Sequence, residues 1–564
     1  MVGLLVLLLL AGPSARAQAP AWQTAVVLTS AESNASVIDA NGDIYVTGRF
    51  SATVSFGSTA LTSAGGADIF VAKWSTASNR FVWAQRAGGP AADYAYAIAV
   101  NGPNVYVAGS YASMTADFGT TTLNNFSNRP GSDNLFVTKL TDAGNTSSFT
   151  WAQQVGDSEN ESATLLTVAG TSVYVGGYFS SARTSFGSTV LTSPSRYSNN
   201  VFVAKLTDAG STSSFVWAQE INLTASGSIR ELAINGSSIY LSGQFSGATC
   251  SFGSTVLTNT SPPSPSTGGT NDVYIAKLTD AGSASSFVWA QQVGGLAEEG
   301  IGSLAVSGTT VYVAGYFTSS TVSFGSIRFT PVGGENGYVA KLTDAGSTGS
   351  FVWVRQHGGR NTSALAIQGP SLYLTGNFTA PTASFDSTVL TNAGNSDVFI
   401  AKLTDAGSTG TFAWSHRAGG PNYDQSFALM LNGTSIFVAG IVIPPATFGN
   451  ISITTTTGAR TSFLASLTDP ALLAPTRALA GSAFTLYPNP ARATTTVLLP
   501  ALPSTATATL TLFDALGRTV RSATVALPAA GLRHELSLSG LPAGIYALQV
   551  QAGVAAATRR LVVE

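Results

Sequence analysis

Charge is scarce in this 564-residue chain: 10% of its residues are Asp, Glu, Lys or Arg, and the formal net charge is −2. Such a balance supplies no basic surface for nucleic acid or anionic membranes. Histidine is scarcer still, with His357, His416 and His534 standing far from any metal-ligand spacing, so zinc and histidine-base chemistry have little to draw on. The single cysteine, Cys250, has no partner for an intramolecular disulfide and no cationic neighbour to activate it, and reads as a small apolar filler. Beyond the first residues no apolar run approaches the length of a transmembrane helix. What the chain has in quantity is Gly, Ser, Thr and β-branched residues, the composition of short strands and tight turns.

These residues are organised as a repeat. Between Trp22 and Asp469 one unit recurs seven times: a turn, an apolar strand of the VYVAG type, an SFG-type segment, an FVAKL-type strand and a tryptophan strand. The tryptophans are Trp22, Trp83, Trp151, Trp217, Trp289, Trp353 and Trp414, and Trp74 alone falls outside the series. Trp22 has no FVAKL-type strand before it, whereas the seventh unit ends at Ser462 to Asp469 with no tryptophan strand after it. The missing strand at one end is thus the surplus strand at the other. An open array would expose unpaired edges, so the spacing predicts an all-β fold: a seven-bladed β-propeller over residues 20–469, closed by the Trp22 strand in the last blade.

Within a unit, glycines such as Gly308 mark the first hairpin turn, and an aromatic stands three residues before a second glycine, as in Tyr312 and Gly315. That second glycine implies a close approach of backbone or ring. The FVAKL-type strand carries Lys73, Lys139, Lys205, Lys277, Lys341 and Lys402, with Ser466 in the seventh unit, and these lysines read as solvated strand tips. The turn aspartates Asp142, Asp208, Asp280, Asp344, Asp405 and Asp469 read as local turn formers, each accepting a nearby backbone N–H. Alternation of strand direction places the SFG-type segments and the crossovers on one face. It is the variable face, carrying the Asn259 to Asn271 insertion, and irregular loops on a rigid scaffold are where a partner binds.

Ten residues after each tryptophan stand Glu32, Asp93, Glu161, Gly227, Glu299, Ser363 and Asp424. The five acids, Glu32, Asp93, Glu161, Glu299 and Asp424, are the candidate ligand- or cation-binding residues. Converging at the channel mouth they would suit Ca²⁺, while as isolated groups they would serve as turn caps or solvated acids. Asp39 to Asp43 superficially resembles a calcium loop but fits a hairpin turn better. There is no catalytic constellation.

The two ends supply an address. Residues 1–19, with an apolar run from Val2 to Ala11 and small residues at Ala15-Arg16-Ala17, read as a signal peptide. After an Ala/Pro/Leu-rich linker at 470–483 come short alternating strands suited to a small Ig-like β-sandwich at 484–564. Its motifs are Tyr487-Pro488-Asn489-Pro490, the Gly517-Arg518 turn, Gly544 with Tyr546, and the ending Arg559 to Val563. In order and spacing they resemble the type A C-terminal sorting domain of type IX secretion cargo. The blade repeat more loosely resembles SBBP-type bacterial propeller repeats. The first resemblance implies export, contact with the type IX machinery and a secreted or outer-surface location. The expected function is non-catalytic binding of an extracellular ligand or partner, without nucleic acid. The alternatives are a propeller enzyme acting on extracellular polysaccharide, and a structural or adhesion surface protein.

Overall fold

Strands of the VYVAG and FVAKL types are apolar on both faces, so they are stable only in the interior of packed sheets. The computed structural model bears this out and describes residues 20–29, 31–125, 131–193, 199–261, 269–333, 336–454, 460–469, 472, 477–478, 484–499, 507–514, 519–528, 531–552 and 555–564. The signal-peptide reading, the Gly517-Arg518 turn and Pro262, Pro263 and Pro265 of the insertion lie outside the described residues. The fold is all-β, and among the described residues there is no helix long and apolar enough to cross a membrane. The chain forms two units, Met1–Asp469 and Pro470–Glu564.

In the first unit the described strands include seven antiparallel sheets with a common four-stranded core, beside four separate two-stranded hairpins. The second sheet shows the plan: Asp93–Asn101, Asn104–Tyr111, Asn134–Asp142 and Ser147–Val155 lie in sequence order, with the tryptophan strand outermost. The seventh sheet departs from sequence order in one strand. Gln425–Asn432, Ser435–Val442 and Thr461–Thr468 are completed by Trp22–Thr29, whose Val26 lies opposite Leu464 and Val27 opposite Phe463. The first strand of each sheet packs on the first strand of the next, and that of the seventh packs on Glu32–Ile38, the first strand of the first sheet.

Each SFG-type segment is the first arm of a small hairpin, such as Thr249–Phe252 with Thr255–Thr258. Its phenylalanine packs into its own sheet, as Phe118 does against Phe136 and Phe149 with ring centroids 4.8 and 5.9 Å apart. In three units the hairpin also pairs with the outer strand of the preceding sheet, through Leu223 with Cys250, Val293 with Phe324 and Ala418 with Phe448, and in two more it hydrogen-bonds to the residue that follows that strand, through Gly88 with Asp117 and Gly358 with Ser384. An edge that would otherwise be open is covered in this way. Cys250 is wholly buried there, and burial raises its thiol pKa, in keeping with a filler role. Trp74 is likewise a core residue, set edge-on to Phe81 at 5.0 Å.

The second unit has two sheets. One contains Arg477–Ala478, Thr507–Phe513, Thr519–Ala526, Gly544–Ala552 and Ala555–Val563, and the other Thr485–Tyr487, Thr494–Leu499 and Leu532–Ser537. Phe484, Val497, Leu510, Leu512, Leu548 and Leu561 form part of its shared core.

Candidate functional site

Five of the six repeated lysines are buried and Lys341 is partly so, which corrects the expectation of solvated tips. Each reaches the turn aspartate of the following sheet: Lys73 to Asp142 at 2.8 Å, Lys139 to Asp208 at 2.7 Å, Lys205 to Asp280, Lys277 to Asp344 and Lys341 to Asp405 at 2.6 Å, and Lys402 to Asp469 at 2.9 Å. The VYVAG tyrosine of the same sheet donates to the same carboxylate, as Tyr174 does to Asp280 at 2.6 Å, and so does the tryptophan, as Trp217 Nε1 does at 3.1 Å. Five of these aspartates also accept a bond from the glycine N–H two residues on, as from Gly282 at 2.9 Å. The turn reading of the aspartates was therefore right but incomplete. Burial works to raise the Asp280 pKa, yet the donors from Lys205, Tyr174, Gly282 and Trp217 outweigh it and hold the carboxyl below its ordinary range. Burial, together with the charge and hydrogen bond of the Asp280 carboxylate, pushes the Tyr174 phenol up to about 12.

One junction lacks this latch. The seventh sheet has Phe437 and Ser466 where the others have tyrosine and lysine, and the first sheet has Thr76 where the next sheets have aspartate. Because all partners are replaced together, no buried charge is left unpaired. A hydroxyl joins this seam instead: Ser462 Oγ accepts from Ser33 N at 3.1 Å and donates to Ala31 O at 2.8 Å.

The candidate acids divide. Asp93, Glu161, Glu299 and Asp424 are wholly buried at the crossover ends of their sheets. Three of them visibly tie crossover backbone together. Asp93 accepts from Gly89 N at 2.7 Å and Ser113 Oγ at 2.8 Å, Asp424 from Gly420 N at 2.7 Å and Ile443 N at 3.0 Å, and Glu161 from Asp157 N at 3.2 Å and Ser181 N at 3.3 Å. Burial, opposed in part by such donors, raises Glu161 and Glu299 to about 7 and Asp424 to about 6. Glu32 is different: it lies opposite Arg49 and is ion-paired to it at 2.5 Å, with its side chain 37% exposed. Ala31, not Glu32, thus faces Phe50, and in the sixth sheet the crossover is three residues shorter, so Arg360 precedes the first strand where Ser363 was counted. Among the described residues no group of three or more His, Cys, Asp and Glu side chains is placed to hold a metal ion. The Asp39 segment forms a hairpin turn, with Asp39 Oδ1 accepting from Asn41 N and Asp43 N at 2.9 Å.

A set of residues outside the five candidate acids lines a shared cavity. Every first strand carries a register shift, leaving Asn34, Tyr96, Thr164, Arg230, Gly302, Ser363 and Phe427 as unpaired bulge residues. A bulge re-aims a side chain out of the pleat, and all seven line one cavity of about 290 Å³. The bulge also drives a first-strand carbonyl onto the VYVAG glycine. A Cβ on Gly109 would meet Tyr94 O at 1.9 Å, and one on Gly376 would meet Asn361 O at 1.8 Å. The repeated glycine was the sequence trace of the bulge, although its partner strand was not apparent.

Bulge size sets where this cavity widens. Tyr96 and Phe427 are bulky, whereas Gly302 and Ser363 leave room beside Arg230. There a second cavity of about 800 Å³ shares Arg230, Gly302 and Ser363 with the first. Its wall includes Tyr316, Tyr423, Arg360, Glu298, Asn361 and Gln425, drawn from the crossover ends of the fourth to seventh sheets. Glu298 is occupied by Asn271 at the end of the variable insertion, accepting from its Nδ2 at 2.6 Å and its N at 3.2 Å.

In the second unit, Tyr487 is 76% exposed while the adjoining Asn489 fastens the terminal strand, donating to Arg560 O at 2.8 Å and accepting from Val562 N at 2.9 Å. Pro488 O accepts from Thr495 Oγ1, and Tyr546 donates to Pro542 O, both at 2.8 Å. A repeated all-β unit followed by such a tail defines an exported surface protein. Residues 485–564 match the family model of the secretion system C-terminal sorting domain. The protein is secreted and attached to the outer cell surface through type IX secretion, whose machinery the tail engages. No curated protein matches the chain. Among solved structures it is similar to a candidate 6-phosphogluconolactonase from Bacteroides fragilis, at 12% identity and TM-score 0.28 over 65% of this chain and 93% of that one. It is also similar to Sqt1 from Saccharomyces cerevisiae, at 9% identity and TM-score 0.31 over 72% and 92%. Likeness this slight carries no inference about activity.

Proposed function

We propose that the seven sheets are the blades of a β-propeller closed by the Trp22 strand, and that this propeller is a non-catalytic binding module held at the cell surface by its tail. The observation that carries the reading is the cavity of about 800 Å³ at the crossover end of the axis, a polar recess built on rigid strand ends. Its chemistry suits binding better than turnover. Acid-pair hydrolysis needs two carboxyl groups flanking the bond, and among the described residues lining this recess Glu298 is the one acid, already engaged by Asn271. Asp93, Glu161 and Asp424 are spent on crossover backbone.

The test is to incubate the purified protein with a panel of extracellular polysaccharides, following binding and release of reducing ends together. Retention without release is expected. Release of reducing ends that disappears in Glu298→Gln would overturn the reading in favour of a polysaccharide-acting enzyme.

A further inference from the structure

Arg230 and Arg360 share the wall of the mouth cavity, and among the described residues neither guanidinium makes a hydrogen bond or an ion pair. On a chain with few charges and a net charge of −2, this is an unusual expenditure, since six of the lysines are committed to carboxylates. The two arginines come from different sheets. Arg230 is the bulge residue of the fourth sheet's first strand, and Arg360 stands at the entry to the sixth sheet's, its N–H fixed to Asn377 O at 3.0 Å. Tyr316, from the fifth sheet, lines the same cavity: burial and the Glu298 charge raise its phenol pKa, and Gln244 and both arginines oppose that rise. Glu298 is the one carboxylate on the wall, so the recess carries a local excess of positive charge.

Around the arginines stand groups of another kind. Asn336, Asn361 and Gln425 offer amide donors and acceptors, while Gln244 and Asn377 are tied to Glu299 O and Ser396 Oγ, and Tyr423 presents a ring 46% exposed. Guanidinium forks match carboxylate and sulfate oxygens bidentately. Amides pair with hydroxyls that both donate and accept, and an aromatic ring offers an apolar platform to a sugar face. Resting on the binding reading above, we propose that the mouth cavity binds an anionic saccharide, with Arg230 and Arg360 on its acidic groups, the amides on its hydroxyls and Tyr423 against a ring.

The carboxylate of a uronic acid and a sulfate ester present the same charge, so both are tested. Trigalacturonate, a sulfated trisaccharide, neutral maltotriose and poly-glutamate are titrated calorimetrically into the whole protein at low salt and again at high salt. The expected result is binding of trigalacturonate, of the sulfated sugar or of both, weakened by salt, with maltotriose at least tenfold weaker and poly-glutamate not bound. Arg230→Ala and Arg360→Ala should each weaken binding of the preferred probe about 10- to 100-fold, and Arg360→Lys less. Melting temperature within error of the wild type shows that these variants remain folded. Should Arg230→Ala fail to fold, Arg360→Ala and Arg360→Lys decide. Equal affinity for maltotriose, or arginine variants that bind unchanged, would overturn the anionic specificity while leaving a binding module. Tighter binding of poly-glutamate would replace the saccharide with an acidic peptide. Failure of all four probes would overturn the proposal outright, while retention of another polysaccharide in the panel above would still support the binding module.

Discussion

Replacing Asp280 by alanine removes one acceptor that serves four donors: Lys205 Nζ and Tyr174 OH at 2.6 Å, Gly282 N at 2.9 Å and Trp217 Nε1 at 3.1 Å. The ammonium of Lys205 is then left with Gly282 O at 3.2 Å as its one remaining acceptor, on a side chain 8% exposed. Breaking a buried ion pair from one side costs about 3–5 kcal/mol, because the surviving charge stays desolvated. Replacing both partners by apolar groups leaves no such charge, so Lys205→Met with Asp280→Ala should recover most of the loss. The assay is urea unfolding at pH 7 of the wild type, the two single variants and the double variant, read as a double-mutant cycle. Asp280→Ala costing under about 1 kcal/mol, or a double variant that loses the sum of the singles, would refute the latch as a cohesive element.

Acid should act on five of the six latches at once: the Asp142, Asp208, Asp280, Asp344 and Asp405 carboxyls are held below their ordinary value, so their stabilisation is complete above it and is lost as pH falls through the depressed values. Melting temperature against pH should therefore drop steeply below about pH 4; a flat profile down to pH 2 would contradict this. The crossover acids act in the opposite sense. Glu299, raised by burial from 4.5 to about 7, favours the fold when protonated, and that contribution fades as pH rises from 4.5 to 7. Glu299→Gln should accordingly melt higher than the wild type at pH 8 and no higher at pH 4.5. Gly177→Ala places a Cβ 1.9 Å from Ser162 O, a clash with backbone that no rotamer relieves, and should cost about 3 kcal/mol in the same urea assay.

The periodicity exposed the architecture because each strand type is set by local pattern: the apolar runs fixed strand order, and the mismatch between the two ends pointed to the pairing of Trp22–Thr29 with Thr461–Thr468. The latches were legible only in outline. Strand-end lysines and turn aspartates are ordinarily solvated or local, and the partners here lie 64 to 75 residues apart, as for Lys341 with Asp405 and Lys205 with Asp280. Their signature was joint loss, with Phe437, Ser466 and Thr76 all standing at the one junction without a latch. Counting from tryptophan failed at Glu32 and Ser363 for a simpler reason. Crossover length varies, so a fixed offset does not track register in the first and sixth sheets. Arg230 was invisible because a bulge is a property of two strands, of which the repeat displayed only the glycine half.

Hydrogen exchange on the protein lacking residues 20–29 tests the account most directly, since closure by that strand underlies the proposed propeller and the proposed site. In the intact protein the Thr461–Thr468 strand is paired on both sides, to Ser435–Val442 and to Trp22–Thr29. The account predicts that the deletion strips protection from amides of Thr461–Thr468 while the latched strand Asn200–Asp208 keeps its own. Unchanged protection at Phe463 and Leu464 would contradict closure by the Trp22 strand.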